Sequence, residues 1–325
     1  MESWVRGIDR IRFSQGNAVL QYIQRRLMLS VPIIILISVV VFFIMHVLPG
    51  DPVRIMLAGQ PVSGEIVEQL RKEYGLDKPI YVQYFTFAGD ALQGDLGRSI
   101  KTKRLVTQEI FAQFPSTLQL TMAAMFIALV IGVTSGVLAA VHQGSWIDAV
   151  SMFFALLGVS MPSFWLALLL LLLFSFNLGW LPAVGAGGIK HLILPAFVLG
   201  VGEAAIIARL VRASMVEVLR QEYVNVARAK GLSNRVVILR HALRNALIPV
   251  VTVLGLQYGY LLGGAVIVET VFSRPGIGRL AVDAILAKDY PMVQGVVLFS
   301  AVIYVVVNLI VDISYGWIDP RIHYE

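Results

Sequence analysis

Five stretches of this sequence run for more than twenty residues without an Asp, Glu, Lys or Arg: 27–48, 118–141, 151–174, 246–268 and 290–311. At about 1.5 Å per residue, twenty-two helical residues reach ~33 Å, enough to cross a ~30 Å hydrocarbon core. A sixth stretch, 192–208, is shorter and weaker, because Pro195, Gly200, Gly202 and Glu203 interrupt it. With 58% hydrophobic and only 14% charged residues, the chain departs far from the composition of a water-soluble domain. The expected fold class is an all-α integral membrane protein with six transmembrane helices. The first apolar run ends in Leu48-Pro49-Gly50-Asp51-Pro52. It lacks the short apolar region and small-residue cleavage site of a signal peptide, so it reads as an uncleaved helix.

The charges set the orientation. Fourteen Lys/Arg fall in segments of one parity, the N-terminus, the central loop and Arg321; four fall in the short loops of the other, Lys190, Arg274, Arg279 and Lys288. The positive-inside rule then places both termini in the cytoplasm. Residues 49–115 have a different composition, with eight basic residues balancing eight acidic ones. This is a small lobe expected outside the cytoplasm, since long loops cross largely regardless of charge. Within it, Ser63 is the expected N-cap of a helix that Gly75 stops, with Pro79 beyond. The chain divides on this reading into 1–115, a tail, first helix and lobe, and 116–325, a five-helix domain.

The most basic short segment lies between the fourth and fifth spans. Residues 209–244 carry Arg209, Arg212, Arg220, Arg228, Lys230, Arg235, Arg240 and Arg244 against Glu217 and Glu222. Val216, Leu219, Tyr223 and Val226 recur at three- and four-residue steps, which predicts a helix with one apolar face. Arg228 and Lys230 suit the negative end of its dipole, and Gly231 supplies a left-handed C-cap. Ser233 is the expected N-cap of a second helix over 234–245. An amphipathic helix here has no core of its own to cover, so a partner is expected to dock on it.

Around these residues, ARAKG at 227–231 and HALRNALIP at 241–249, the segment resembles the cytoplasmic loop of ABC-importer permeases of the dipeptide, oligopeptide and nickel subgroup. Asn225 and Val226 stand where the general pattern has Glu and Ala, and Arg244 where it has Pro. LPGDPVRIMLAGQ, EYGLDKPIYVQY and GDLGRSI in the lobe resemble the first of the two permease types, and further matches run from Glu269 to Arg279, through Lys288-Asp289-Tyr290-Pro291 and into Asp319-Pro320-Arg321. The resemblance implies the type I importer permease fold and a multi-pass place in a bacterial inner membrane. It implies as partners a second homologous permease, two ATPase subunits and an extracytoplasmic binding protein. The cargo would be di- or oligopeptides, with nickel, glutathione or an oligosaccharide as alternatives. It also makes 209–245 the coupling loop, with Glu222, Tyr223, Ala227, Arg228, Lys230, Gly231 and Leu243 expected at the ATPase.

Chemistry within the chain is not expected. No Lys follows a Gly, so the phosphate-binding GxxxxGK[ST] is absent, as are HExxH and GxSxG. Cysteine is absent and the five histidines are scattered singly, so neither a metal nor a cofactor site is expected. The net charge of +6 follows membrane topology better than a nucleic-acid face. Gly255, Gly259 and Gly263 lie four apart on the fifth span, a spacing that lets helices pack closely or line a path. Glu203 and Glu269 are the acids nearest membrane depth. Interfacial water would satisfy Glu269, while Arg209 could reach Glu203. An ion-coupled secondary transporter using either acid is the rival reading, weakened by the absence of visible inverted repeats; an intramembrane protease lacks a catalytic pair.

Overall fold

In the structure, a computed structural model that describes residues 24–43, 53, 63–73 and 75–318, every described element is helical apart from one isolated bridge between Arg98 and Leu105. The helices are α1 (Gln24–Phe43), α2 (Gly64–Glu73), α3 (Ile80–Leu92), α4 (Val106–Val141), α5 (Trp146–Ser160) and α6 (Ser163–Asn177). They continue with α7 (Lys190–Leu219), α8 (Glu222–Ala229), α9 (Asn234–Ala246), α10 (Ile248–Val271), α11 (Ile277–Leu286) and α12 (Tyr290–Ile318). Among the described residues, four helices are long and apolar enough to cross a membrane, and counting each of two bent pairs, α5 with α6 and α9 with α10, as one span raises the number to six. The last residues of the expected first span, most of the LPGDPVRIMLAGQ motif and the 319–321 motif lie outside the described residues.

The chain forms two compact units. Among the described residues, one comprises 117–274 with 307–318, and its axis is α7. This helix was the weakest expectation, at seventeen residues; it runs unbroken for thirty and is the most buried of the spans. The residues that looked like interruptions are contact points instead. A Cβ at Gly200 would sit 2.6 Å from the Ala124 carbonyl oxygen of α4. The same close approach recurs from the other side. A Cβ at Gly132 would meet Ile207 at 2.7 Å, and one at Gly136 would meet the Ala208 oxygen at 2.6 Å. Ala124, Ala128, Gly132, Gly136 and Ala140, each four residues from the next, form one stripe of small side chains on α4, and the three alanines are buried. Lipid is as apolar as leucine, so what holds two helices together in it is close van der Waals approach. Small residues on both helices allow that approach.

The third span, expected as one run over 151–174, is two helices with a 106° bend between them. Pro162 has no N–H to continue the ladder, and it forces Met161 into extended backbone at φ −83°, ψ 122°. Beyond the bend, residues Leu171–Asn177 of α6 wind as a π-helix. Gly158, near the end of α5, takes the side chain of Val201, and Ala155 packs with Ala205 and Ala208.

The other unit comprises 24–116 with 275–306. As expected, Ser63 immediately precedes α2 and Gly75 stops the chain beyond it at φ +65°. The amides of Gly75 and Leu76 bond back to the carbonyls of Lys72 and Arg71, the paired closure of a left-handed C-cap. Helices α3 and α11 carry no signal that periodicity had singled out. The segment after α3 is stitched to the start of α12 by the buried carboxylate of Asp289, which accepts from the Ser99 hydroxyl at 2.5 Å and the Ile100 amide at 3.0 Å. Val106, Ile110, Ile277, Ala284, Met292 and Val296 close an apolar core beside it.

Candidate coupling site

The site is built on the end of α7. The chain leaves α7 at Leu219, turns through Arg220 and Gln221, and enters α8 at Glu222. The single helix expected from Val216 through Val226 is therefore two. The C-cap is as predicted: Gly231 sits at φ +80°, its amide bonds to the Arg228 carbonyl at 2.9 Å, and the Leu232 amide reaches the Ala227 carbonyl at 3.4 Å. Ser233 does precede α9, but only its backbone carbonyl takes part, accepting from the Val237 amide.

The helix was expected to have no core of its own to cover, but it has one. Val224 and Ala227 point inward, into an apolar cluster with Val237, Ala242, Met215 and Val218, and Leu243 packs half-buried against it. Tyr223 and Val226, named as the apolar stripe, lie on the exposed side with Glu222, Arg228 and Lys230. Tyr223 is also fastened down: Asn245 donates to its hydroxyl at 2.6 Å, and the hydroxyl donates to the His241 carbonyl at 3.4 Å. The short helix thus has a floor of its own. Above it, Tyr223, Val226, Leu232, Val236 and Leu239 present apolar surface among exposed Arg228, Lys230, Arg235, Arg240 and Arg244.

The stem of this platform is clamped. Arg212, two turns before the end of α7, donates from Nε to Asp148 Oδ1 at 2.6 Å and from its terminal nitrogen to Oδ2 at 2.7 Å. Such a fork-on-carboxylate pair fixes geometry as well as charge. Asp148 lies in the first turn of α5, where the helix dipole favours a carboxylate, and it also accepts the Gly144 amide at 3.0 Å. Its own amide donates to Ser145 Oγ, the N-cap. Neither residue was singled out from sequence, although an Asp three residues after a Ser is a capping signal.

The remaining residues of interest do not join this site. Glu203 is buried on α7, and Arg209, its expected partner, is exposed. Six residues at ~100° each put the two on different helix faces, and no ion pair forms between them. One Glu203 oxygen has no hydrogen-bond partner. Glu269 is not held by interfacial water: it is fully buried and accepts from the Thr117 hydroxyl at 2.6 Å. Arg274 beyond it donates to Gln119 Oε1 at 2.9 Å; burial pushes its guanidinium down, and the Glu269 charge pushes it back up. Of the three glycines spaced four apart on α10, Gly255 and Gly259 are buried, and Gly255 lies against Val311 of α12. Gly263 faces open space.

Two family models match the chain. One, described as the inner membrane component of binding-protein-dependent transport systems, covers residues 132–324, and its N-terminal companion covers 19–121. The chain belongs to this family of importer permeases. It is 45% identical over 307 residues to the glutathione transport system permease protein GsiC of Escherichia coli K12 and to that of Shigella dysenteriae serotype 1. Each alignment takes in 94% of this chain and all of the relative. Two crystal forms of the inward-facing MetNI methionine ABC transporter share the fold at 19% and 20% identity, with TM-scores of 0.53 and 0.55. They cover 65% of this chain and 96% and 97% of theirs. Permeases of this family are inner-membrane subunits that work with a second permease, ATPase subunits and a binding protein. This subunit is accordingly no enzyme; ATP is hydrolysed by its partners.

Proposed function

We propose that this permease forms half of a translocation path for short peptides, glutathione among them, and that α8 is the helix through which an ATPase subunit drives it. The observation that carries the substrate reading is the 45% identity, over the whole of each relative, to glutathione permeases, glutathione being itself a tripeptide. The motifs of the peptide subgroup, spread from the lobe to the last span, support the same class. Small-residue packing on α10 and the buried Glu203 border the proposed path. For coupling, the support is an exposed surface of apolar and cationic side chains on a helix whose position is fixed from below by Val224, Ala227 and Tyr223.

The transporter reconstituted with its partners should take up labelled glutathione, and unlabelled di- and tripeptides should compete with it. ATP-dependent uptake of nickel or an oligosaccharide, with no response to any peptide, would overturn the substrate reading.

The proposed orientation has both termini and α8 in the cytoplasm and the 49–115 lobe outside, following the charge bias. The chain has no cysteine, so a single introduced one reports cleanly. A membrane-impermeant maleimide added to right-side-out vesicles should label Lys103→Cys and leave Lys230→Cys unlabelled. The reverse pattern would sink the orientation.

A further inference from the structure

We infer that α3 is a membrane-embedded interfacial helix, with the Tyr81, Phe85 and Leu92 stripe seated in the lipid of the leaflet that holds the C-terminal end of α1. The reasoning begins with what α3 is tied to. Tyr84 hydrogen-bonds Ser38 of α1, oxygen to oxygen, at 2.9 Å. Its ring lies edge-on to Phe42 of α1, with centroids 5.4 Å apart, and the Phe87 ring stacks on Phe42 at 6.0 Å. Ser38 and Phe42 belong to the first span, and the uncharged run continues in sequence to Leu48. The attachment of α3 is therefore at hydrocarbon depth.

At about 100° per residue, the side chains of α3 sort into three faces. Tyr84 and Phe87 meet α1. Tyr81, Phe85, Ala88 and Leu92 fall on a neighbouring stripe, where Tyr81 is 65%, Phe85 69% and Leu92 91% exposed. Gln83, Thr86 and Asp90 lie on the side opposite that stripe. The helix carries no Lys or Arg, and its single acid is on the polar side. A helix with this division lies in a membrane interface, apolar side down, and tyrosine favours that depth.

Lipid is the occupant because the stripe continues the exposed apolar surface of a membrane span. The flank of α1 exposes Ile33, Ile35, Leu36, Val40 and Phe43, apolar side chains of a helix long enough to cross the bilayer. Exposed aromatic and aliphatic side chains held beside that flank at the same depth meet the same solvent.

The absence of cysteine makes the test direct. Phe85→Cys, Tyr81→Cys and Asp90→Cys are each made alone, with cysteine-free partner subunits. The assembled transporter is labelled with bimane and reconstituted in phosphatidylcholine vesicles. Brominated phosphatidylcholine should quench positions 81 and 85 at least about twofold more than position 90, and iodide should do the opposite. Two apolar-face positions are used so that poor folding of one variant leaves the other to decide. Equal iodide quenching at 85 and 90 would place the stripe in water. Protection of 81 and 85 from both quenchers in the assembled transporter would assign the stripe to a partner subunit. Either result overturns the inference.

Discussion

Gly231→Val is expected to leave the permease inserted at normal abundance while ATPase association and uptake fall together. Gly231 occupies the left-handed region at φ +80°, and a Cβ there would meet nothing within 4 Å. The penalty is thus purely one of backbone conformation, about 1–3 kcal/mol for a β-branched residue held there. An exposed turn has little to hold it against such a cost, so the chain relaxes out of the two closing hydrogen bonds and α8 shifts on its floor. By the same energy scale, uptake should drop roughly tenfold or more. Gly231→Asn is the control, because asparagine tolerates this region and should retain most activity. Tyr223→Asp should behave like the valine variant, since it removes the hydroxyl that bonds Asn245 and His241 and places a charge on the exposed apolar surface. Pull-down of the ATPase and ATP-dependent uptake in vesicles are the measurements. If Gly231→Val and Tyr223→Asp both keep the ATPase and transport normally, the central loop is only a topology anchor.

The second large effect is expected at Gly136, and it is one of folding. Leucine at this position would drive its Cβ to within 2.6 Å of the Ala208 carbonyl oxygen and 2.7 Å of Val211 Cβ. A backbone oxygen cannot swing aside as the end of a flexible side chain can, so α4 and α7 must separate along their seam. Overpacking a well-packed core by ordinary side-chain crowding costs about 1–3 kcal/mol, and backbone displacement exceeds that. Most of the Gly136→Leu protein should be lost to degradation or aggregate on size exclusion in detergent. Gly263→Leu, pointing into open space, should elute like the unmodified chain. Equal behaviour of the two variants would show that the α4–α7 seam is not closely packed.

The number and approximate place of the spans were legible because a bilayer demands one thing that sequence displays openly, a sufficient length without charge. The fourth span was underestimated for the same reason. Gly200, Gly202 and Glu203 lower the apparent apolarity of a helix that never meets lipid on that side, so a rule written for lipid-facing residues undervalues it. The α4 stripe from Ala124 to Ala140 was written in the sequence at the same four-residue spacing as Gly255, Gly259 and Gly263; alanines simply attract less notice than glycines. At the coupling site, Gly231 was readable because a left-handed turn narrows the choice of residue. The covered face of α8 was not. Tyr223 and Val226 obey the helical period, but Val224 and Ala227 do so too on another face, and only the position of α9 decides between them. Helix α3 escaped notice because its aromatic residues serve two surfaces, which blurs any single period.

The sharp bend between α5 and α6 bears on the bilayer as well as on the chain. Each arm has fifteen residues, about 22 Å if wound as straight α-helix, and the two differ in direction by 106°. For six crossings this pair must be one of them. Trp146 and Trp180, both largely exposed, flank its two ends as interfacial anchors do. As a crossing it would be a wide one: with a 106° change of direction at least one arm lies far off the membrane normal, so the pair takes up more room in the bilayer plane than a straight span does.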